Sequence, residues 1–137
     1  MERFQLDPPV DAAQELRHLL SHSGFDFREE DGRFWLVFSE RGCKWQTECV
    51  CRETAVLFYS SFPFVIKEEG LFDRLCQSVD RQVVFGSLFR VGERAVFRTA
   101  ADLPDAFSAY EQLARILEYN AGVVVRFWDE VAACAVK

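Results

Sequence analysis

The sequence predicts an α+β fold: a twisted antiparallel sheet covered by helices, in the order α-β-β-β-β-α-β-β-α. Three observations carry this. Turn signals at Asp31-Gly32, Arg41-Gly42 and Gly92 separate short segments suited to antiparallel pairing. Between Cys43 and Arg52 apolar and polar residues alternate with period two, as in a strand with one buried face. Toward the C-terminus the apolar residues change to a spacing of three and four, as in an amphipathic helix. Helices packed on one face of an antiparallel sheet are the layer arrangement that buries both patterns.

Taken in order, Met1–Asp7 reads as a frayed or edge segment, and Asp7-Pro8-Pro9 suits a helix start, with Asp as N-cap and proline in the first turn. Ala13, Leu16, Leu19 and Leu20 form the apolar stripe of that helix; Gly24 ends it, and Phe25 is placed to pack back. Phe25–Arg28 alternates, Asp31-Gly32 turns the chain, and the apolar run Phe34–Ser39 returns as a strand expected to be buried on both faces. In the next strand Cys43, Trp45, Thr47, Cys49 and Cys51 share one side. Lys44, Gln46, Glu48 and Arg52 share the other, with Val50 as the exception. Ala55–Phe62, rich in aromatic and β-branched residues, is a fourth strand, which Pro63 is expected to stop.

Ile66–Asp80 has helical spacing at Leu71, Phe72, Leu75, Cys76 and Val79, with Glu68 and Glu69 favourably placed in the first turn. Gln82–Thr99 reads as a hairpin turning at Gly92. Val83, Phe85, Ser87 and Phe89 with Ala95, Phe97 and Thr99 make an expected buried, aromatic face. Val84, Leu88 and Val96, among arginines, make a mixed outer face where a partner could sit. Asp102-Leu103-Pro104-Asp105 opens the last helix, whose seam is Phe107, Tyr110, Ala114, Leu117, Ala121, Val124, Trp128 and Val131, widened by Leu113, Ile116 and Phe127. Gly122, before the β-prone Val123-Val124-Val125, is where a break or kink would fall.

The 137 residues suffice for one domain over 1–137, and 50% hydrophobic and 15% aromatic content, with 14 Phe, exclude a disordered chain. A net charge of −6 without a basic block argues against a general nucleic-acid binder. No apolar run approaches the ~20 residues that span a bilayer, so no membrane role is expected. The start MERFQLDPPVD lacks a signal pattern, and five cysteines without a disulfide framework fit the expected cytosolic location.

Catalytic chemistry has few candidates. Cys43, Cys49 and Cys51 share a strand face and could form a thiolate metal site, but zinc wants four ligands and buried free cysteine is common, which favours the core reading. His18 and His22 lie i, i+4 on the first helix without the H-E-x-x-H form, and read as a solvated helix end. Glu29-Glu30-Asp31 reads as a solvated turn, and Asp80 as a local acceptor of backbone donors beside Arg81. With no G-x-S-x-G, Walker A or G-x-G-x-x-G, neither an enzyme nor a cofactor is expected.

From Trp45 to about Trp128 the chain resembles the YbjN-like proteins, which share a fold with the class I type III secretion chaperones. The resemblance rests on a strand begun by Trp45, an aromatic strand ending at Pro63 before an acidic-capped helix, and Gly86 in the following strand. Six residues before that glycine the family commonly has Asn, where this chain has Asp80. The Asp31-Gly32 turn after the first helix is also similar to the secretion chaperones. The resemblance implies a small, acidic, non-enzymatic cytosolic protein, often dimeric; secretion chaperones of this fold wrap an extended stretch of an effector across apolar grooves. The expectation is therefore a protein-binding module, chaperone-like or regulatory, that forms a homodimer or holds a protein partner or extended peptide through Val84, Leu88, Val96, Trp35 and Trp128. The alternative is a small-ligand or metal-binding domain that uses the Cys43/Cys49/Cys51 face or a pocket between sheet and helix.

Overall fold

Two turns set the start of the sheet. Asp31 and Gly32 have φ of 51° and 77°, and Arg41 and Gly42 have 53° and 81°. Paired positive φ is the type I′ geometry, whose twist matches that of paired strands. In the computed structural model, which describes residues 10–135, these turns join β1 (Phe27–Glu30), β2 (Arg33–Glu40) and β3 (Cys43–Cys51). With β4 (Ala55–Val65), β5 (Ser87–Val91) and β6 (Arg94–Asp102) they form a six-stranded antiparallel sheet of order β1-β2-β3-β4-β6-β5. The helices are α1 (Ala12–His22), α2 (Glu69–Gln82), α3 (Ala106–Arg126) and a short α4 (Trp128–Ala133). The predicted α+β class and element order are observed, with α4 added.

The sheet residues that pack under the helices come from one face. Phe34, Leu36, Cys49, Val56 and Phe58 pack with α1 and the first half of α3. Trp45, Phe62, Leu88 and Phe97 pack with α2, the end of α3 and α4. β2 is therefore buried on one face only, contrary to expectation, and Val37 on its other face is 55% exposed.

The expected edge segment Met1–Asp7 and helix start Asp7-Pro8-Pro9 lie outside the described residues. α1 begins at Ala12, with Asp11 as its N-cap: the carboxylate accepts from Gln14 N at 3.2 Å. The signal was in the sequence, since Asp11 and Gln14 have the spacing of a capping box. At the other end Gly24 has φ 78°, its N–H donates to Ser21 O (3.3 Å), and Phe25 N donates to Leu20 O (3.0 Å). This pair of bonds is a Schellman motif, with Phe25 packed back on the core as expected.

Three other boundaries differ from the sequence reading. β4 continues past Pro63 to Val65, because the proline sits in a register shift between Ser61 and Val65 where no ladder donor is needed. α2 spans Glu69–Gln82 rather than Ile66–Asp80. Asp80 thus lies in the last turn of α2, exposed, with no side-chain hydrogen bond among the described residues. α3 passes Gly122 without a break, since Val123 and Val124 are buried on its inner face and packing outweighs their propensity. The turn comes at Phe127. It directs α4 back so that Cys134 O accepts from Lys67 N and Glu68 N, both at 2.8 Å, fastening the C-terminal turn to the β4–α2 connection.

α3 is pinned to the sheet by a buried polar cluster. Asn120 is fully buried. Its Oδ1 accepts from Ser60 Oγ (2.5 Å), and Ser60 Oγ also bonds Thr47 Oγ1 (2.7 Å). Its Nδ2 donates to Thr99 Oγ1 (3.0 Å), Phe58 O and Phe97 O (both 3.4 Å). The buried stripe of α3 contains the expected Leu117, Ala121 and Val124 with Leu113 and Ile116, but extends to Ala109, Asn120 and Val123 on the side away from Phe107, which is 86% exposed.

Candidate binding surface

The sheet face away from the helices is open. Cross-strand pairing aligns Arg28, Trp35, Glu48, Tyr59, Arg98 and Ser87 in one row, and Val37, Gln46, Ser61, Val96 and Phe89 in the next. The Arg28 guanidinium lies over the Trp35 ring at 4.6 Å. Arg33 pairs with Glu48 at 2.5 Å. Beside Arg33 and Glu48 a shallow depression of about 420 Å3 is lined by the buried Val50 and Val96, by Tyr59, and by the exposed Arg52 and Arg94.

At one edge of the sheet, β5 pairs only with β6. The preceding segment Val83–Gly86 is held to α3 by Tyr119, whose hydroxyl oxygen accepts from Val84 N (2.8 Å) and whose ring meets Phe85 edge-on at 5.5 Å. Gly86 then lets the chain lie against β6: it has φ +85°, and a Cβ there would stand 2.4 Å from Arg98 O.

The five residues expected to make contact are divided by the structure. Val84 is exposed, but it belongs to the α2–β5 connection and not to a strand. Trp35 and Val96 lie on the open face, Trp35 half-buried beneath Arg28 and Val96 buried among its neighbours. Leu88 is on the opposite face, paired with Phe97 in the core, while Phe89 takes the open face. The helix runs through Gln82, so β5 starts only at Ser87, and the face assignment of its residues slips by one. Trp128 is half-buried between Trp45, Phe62 and Phe64, with ring centroids 6.0, 5.8 and 5.0 Å away. Leu88 and Trp128 are thus packing residues. Sequence reading missed Leu71, Phe85 and Val91, which are exposed. For Phe85 and Val91 the signal was their place at the two ends of the hairpin's first strand.

The cysteines do not converge. Cys43 belongs to one core cluster and Cys49 to the other, and six residues of extended strand separate them by ~20 Å. Among the described residues no group of three or more His, Cys, Asp or Glu is placed to hold a metal ion. His18 and His22 stack at 5.8 Å, each edge-on to Tyr110. Burial pushes the Cys51 and Cys76 thiols up to about 11 and Cys49 further, the reverse of what a nucleophile or thiolate ligand requires. A thiol whose folded pKa is raised contributes stability below its unfolded value near 9.0, and that contribution is lost as pH rises toward 11. The urea midpoint is therefore expected to fall between pH 9 and 11; replacing both Cys51 and Cys76 with alanine should flatten that decline, and an unchanged decline would show that other groups cause it.

A groove of about 750 Å3 runs between the end of α1, β2 and the middle of α3, lined by Leu19, Phe25, Phe38 and Leu117 with Glu40 and Glu118. Among the described residues no helix is long and apolar enough to cross a membrane.

No family model matches the sequence, and no curated protein matches it. A solved structure does: YbjN from E. coli, a proposed transcription regulator, matches with a TM-score of 0.65 over 92% of this chain and 93% of that one, at 13% identity. The chain has the YbjN fold. At that identity the likeness shows the fold alone. The YbjN fold leaves one sheet face and the β5 edge of this chain without a covering element, and these are its candidate contact surfaces.

Proposed function

We propose that this chain is a non-enzymatic, cytosolic protein-binding module, chaperone-like or regulatory, that receives an extended partner segment or a second copy of itself along the β5 edge. One observation carries the reading. Of the six large hydrophobic residues exposed among the described residues, four surround β5 or lie on the helix packed against it: Leu71, Val84, Phe85 and Val91. The opposite edge, β1, is four residues long and bears Arg28, Glu29 and Glu30, the charged, short form that discourages pairing. β5 is one residue longer and bears a single charge, Arg90, which faces Glu69 of α2, and an edge with free backbone groups between apolar side chains is the template for strand addition. The regulatory form of the reading is supported by the fold shared with YbjN.

Light scattering of the wild type is expected to give twice the 15.8 kDa chain mass, and Val84→Ser with Val91→Ser to return it to the monomer. Both side chains are exposed, so the double variant should keep its fold. A monomeric wild type that binds neither a hydrophobic dye nor a strand-forming peptide removes the basis of the proposal. A small apolar ligand is a second reading, favoured by the groove between α1, β2 and α3. Native mass spectrometry showing a retained small molecule on untagged protein would support it.

A further inference from the structure

The open face of the sheet is charged against the rest of the chain. Cross-strand register and the shallow depression place Arg28, Arg33, Lys44, Arg52, Arg94 and Arg98 on this face, all exposed, against the acidic Glu30, Glu48 and Asp102. The whole chain has net charge −6, so this face is a basic surface on an acidic protein. Arg33 is neutralised by Glu48, whereas Arg52, Arg94 and Arg98 have no ion pair among the described residues. Arg94 and Arg98 lie four residues apart on β6, ~13 Å. Between them stands Val96, which with Val50 floors the depression.

We propose that this face docks an acidic, extended polypeptide segment of the pattern acidic-x-apolar-x-acidic. The proposal rests on the protein-binding reading above and adds to the β5 edge a second contact surface, the open face, with the chemistry of the segment it takes. An extended segment repeats its side chains on one face with the same spacing as β6. Two carboxylates four residues apart therefore reach the Arg94 and Arg98 guanidinium groups, whose planar donor forks suit carboxylates. The apolar side chain between the carboxylates covers Val96 and Val50. A single-stranded nucleic acid fits less well: the Trp35 ring already carries Arg28, the floor offers aliphatic carbon where bases stack on free aromatic faces, and the net charge of −6 repels a long polyanion.

The test is fluorescence anisotropy with four labelled probes of about twelve units: a peptide of Glu-Thr-Val-Thr-Glu pattern, the same peptide with Lys for Glu, the same with Ser for Glu, and an oligothymidylate. The acidic peptide is expected to bind at least tenfold more tightly than the other three. Its binding should weaken at least tenfold between about 50 and 300 mM salt, by screening, and at least tenfold in an Arg94→Ser/Arg98→Ser variant whose circular dichroism matches wild type. Equal binding of the Ser peptide, unchanged in the variant, overturns the acidic preference and leaves the protein-binding reading standing. Absence of all binding by a monomeric wild type overturns both. Tighter binding of oligothymidylate, lost in the variant, overturns the peptide in favour of nucleic acid; a dimer that the variant converts to monomer overturns it in favour of a second copy.

Discussion

Gly86→Ala is expected to destabilise the protein by about 3 kcal/mol or more, combining the cost of a left-handed backbone for an L-residue with that of overpacking. The backbone at Gly86 has φ +85°, and the added Cβ would meet Arg98 O at 2.4 Å, Thr99 Cγ2 at 2.8 Å and Phe97 Cζ at 2.9 Å. The first of these atoms is backbone in the middle of β6, which pairs with β4 on its other side and cannot move alone. Relief requires the Val83–Gly86 segment to lift from β6, which would also strain the bond from Val84 N to Tyr119. In a domain of this size the loss corresponds to a fall of roughly 10 °C in Tm. Thermal unfolding followed by circular dichroism measures it; a Tm within about 2 °C of wild type would show that the segment yields freely.

Asn120→Ala is expected to cost about 2–4 kcal/mol, since it removes a buried side chain and leaves its partners unsatisfied. The Ser60 hydroxyl loses an acceptor, and Phe58 O, Phe97 O and Thr99 Oγ1 lose a donor, all out of reach of solvent. Asn120→Asp separates the hydrogen-bonding role from that of volume. The carboxyl group fills the same space but, ionised, faces two carbonyl oxygens without a donor. Burial then raises its pKa, so the variant should retain more of wild-type stability near pH 4 and lose it as pH rises toward 7. Urea unfolding of both proteins at the two pH values gives the comparison. Equal losses at both would mean that the amide acts by shape alone.

These two sites differ in how far the sequence disclosed them. Gly86 could be marked as the glycine of a recognisable pattern, but not for its reason: the atoms it must avoid belong to β6, eleven to thirteen residues later in the chain. Asn120 was not legible at all. A lone polar residue within an apolar stripe reads as an interruption, and its partners come from two strands distant in sequence, β4 and β6. The same omission left Asn120 out of the α3 seam and put Phe107 inward when it faces out. Among the expected contact residues, Val84 was placed on a strand face that begins only at Ser87, and Leu88 on the wrong side of β5.

By itself the sequence determined the order of elements, the turns and the alternation of β3, because period-two patterning and positive-φ glycines are local properties. Gly24, Asp31-Gly32, Arg41-Gly42 and Gly92 act within a few residues of themselves. Tertiary structure alone decided which face of β5 is buried, where the last helix turns, and that a basic face stays uncovered on an acidic chain. Each of these depends on contacts between segments distant in sequence: α3 with β4 and β6 through Asn120, α4 with the β4–α2 connection through Cys134, and Arg52 with Arg94 around one depression. A pattern read along one strand supplies a period but not a phase. The phase is set by what packs against it.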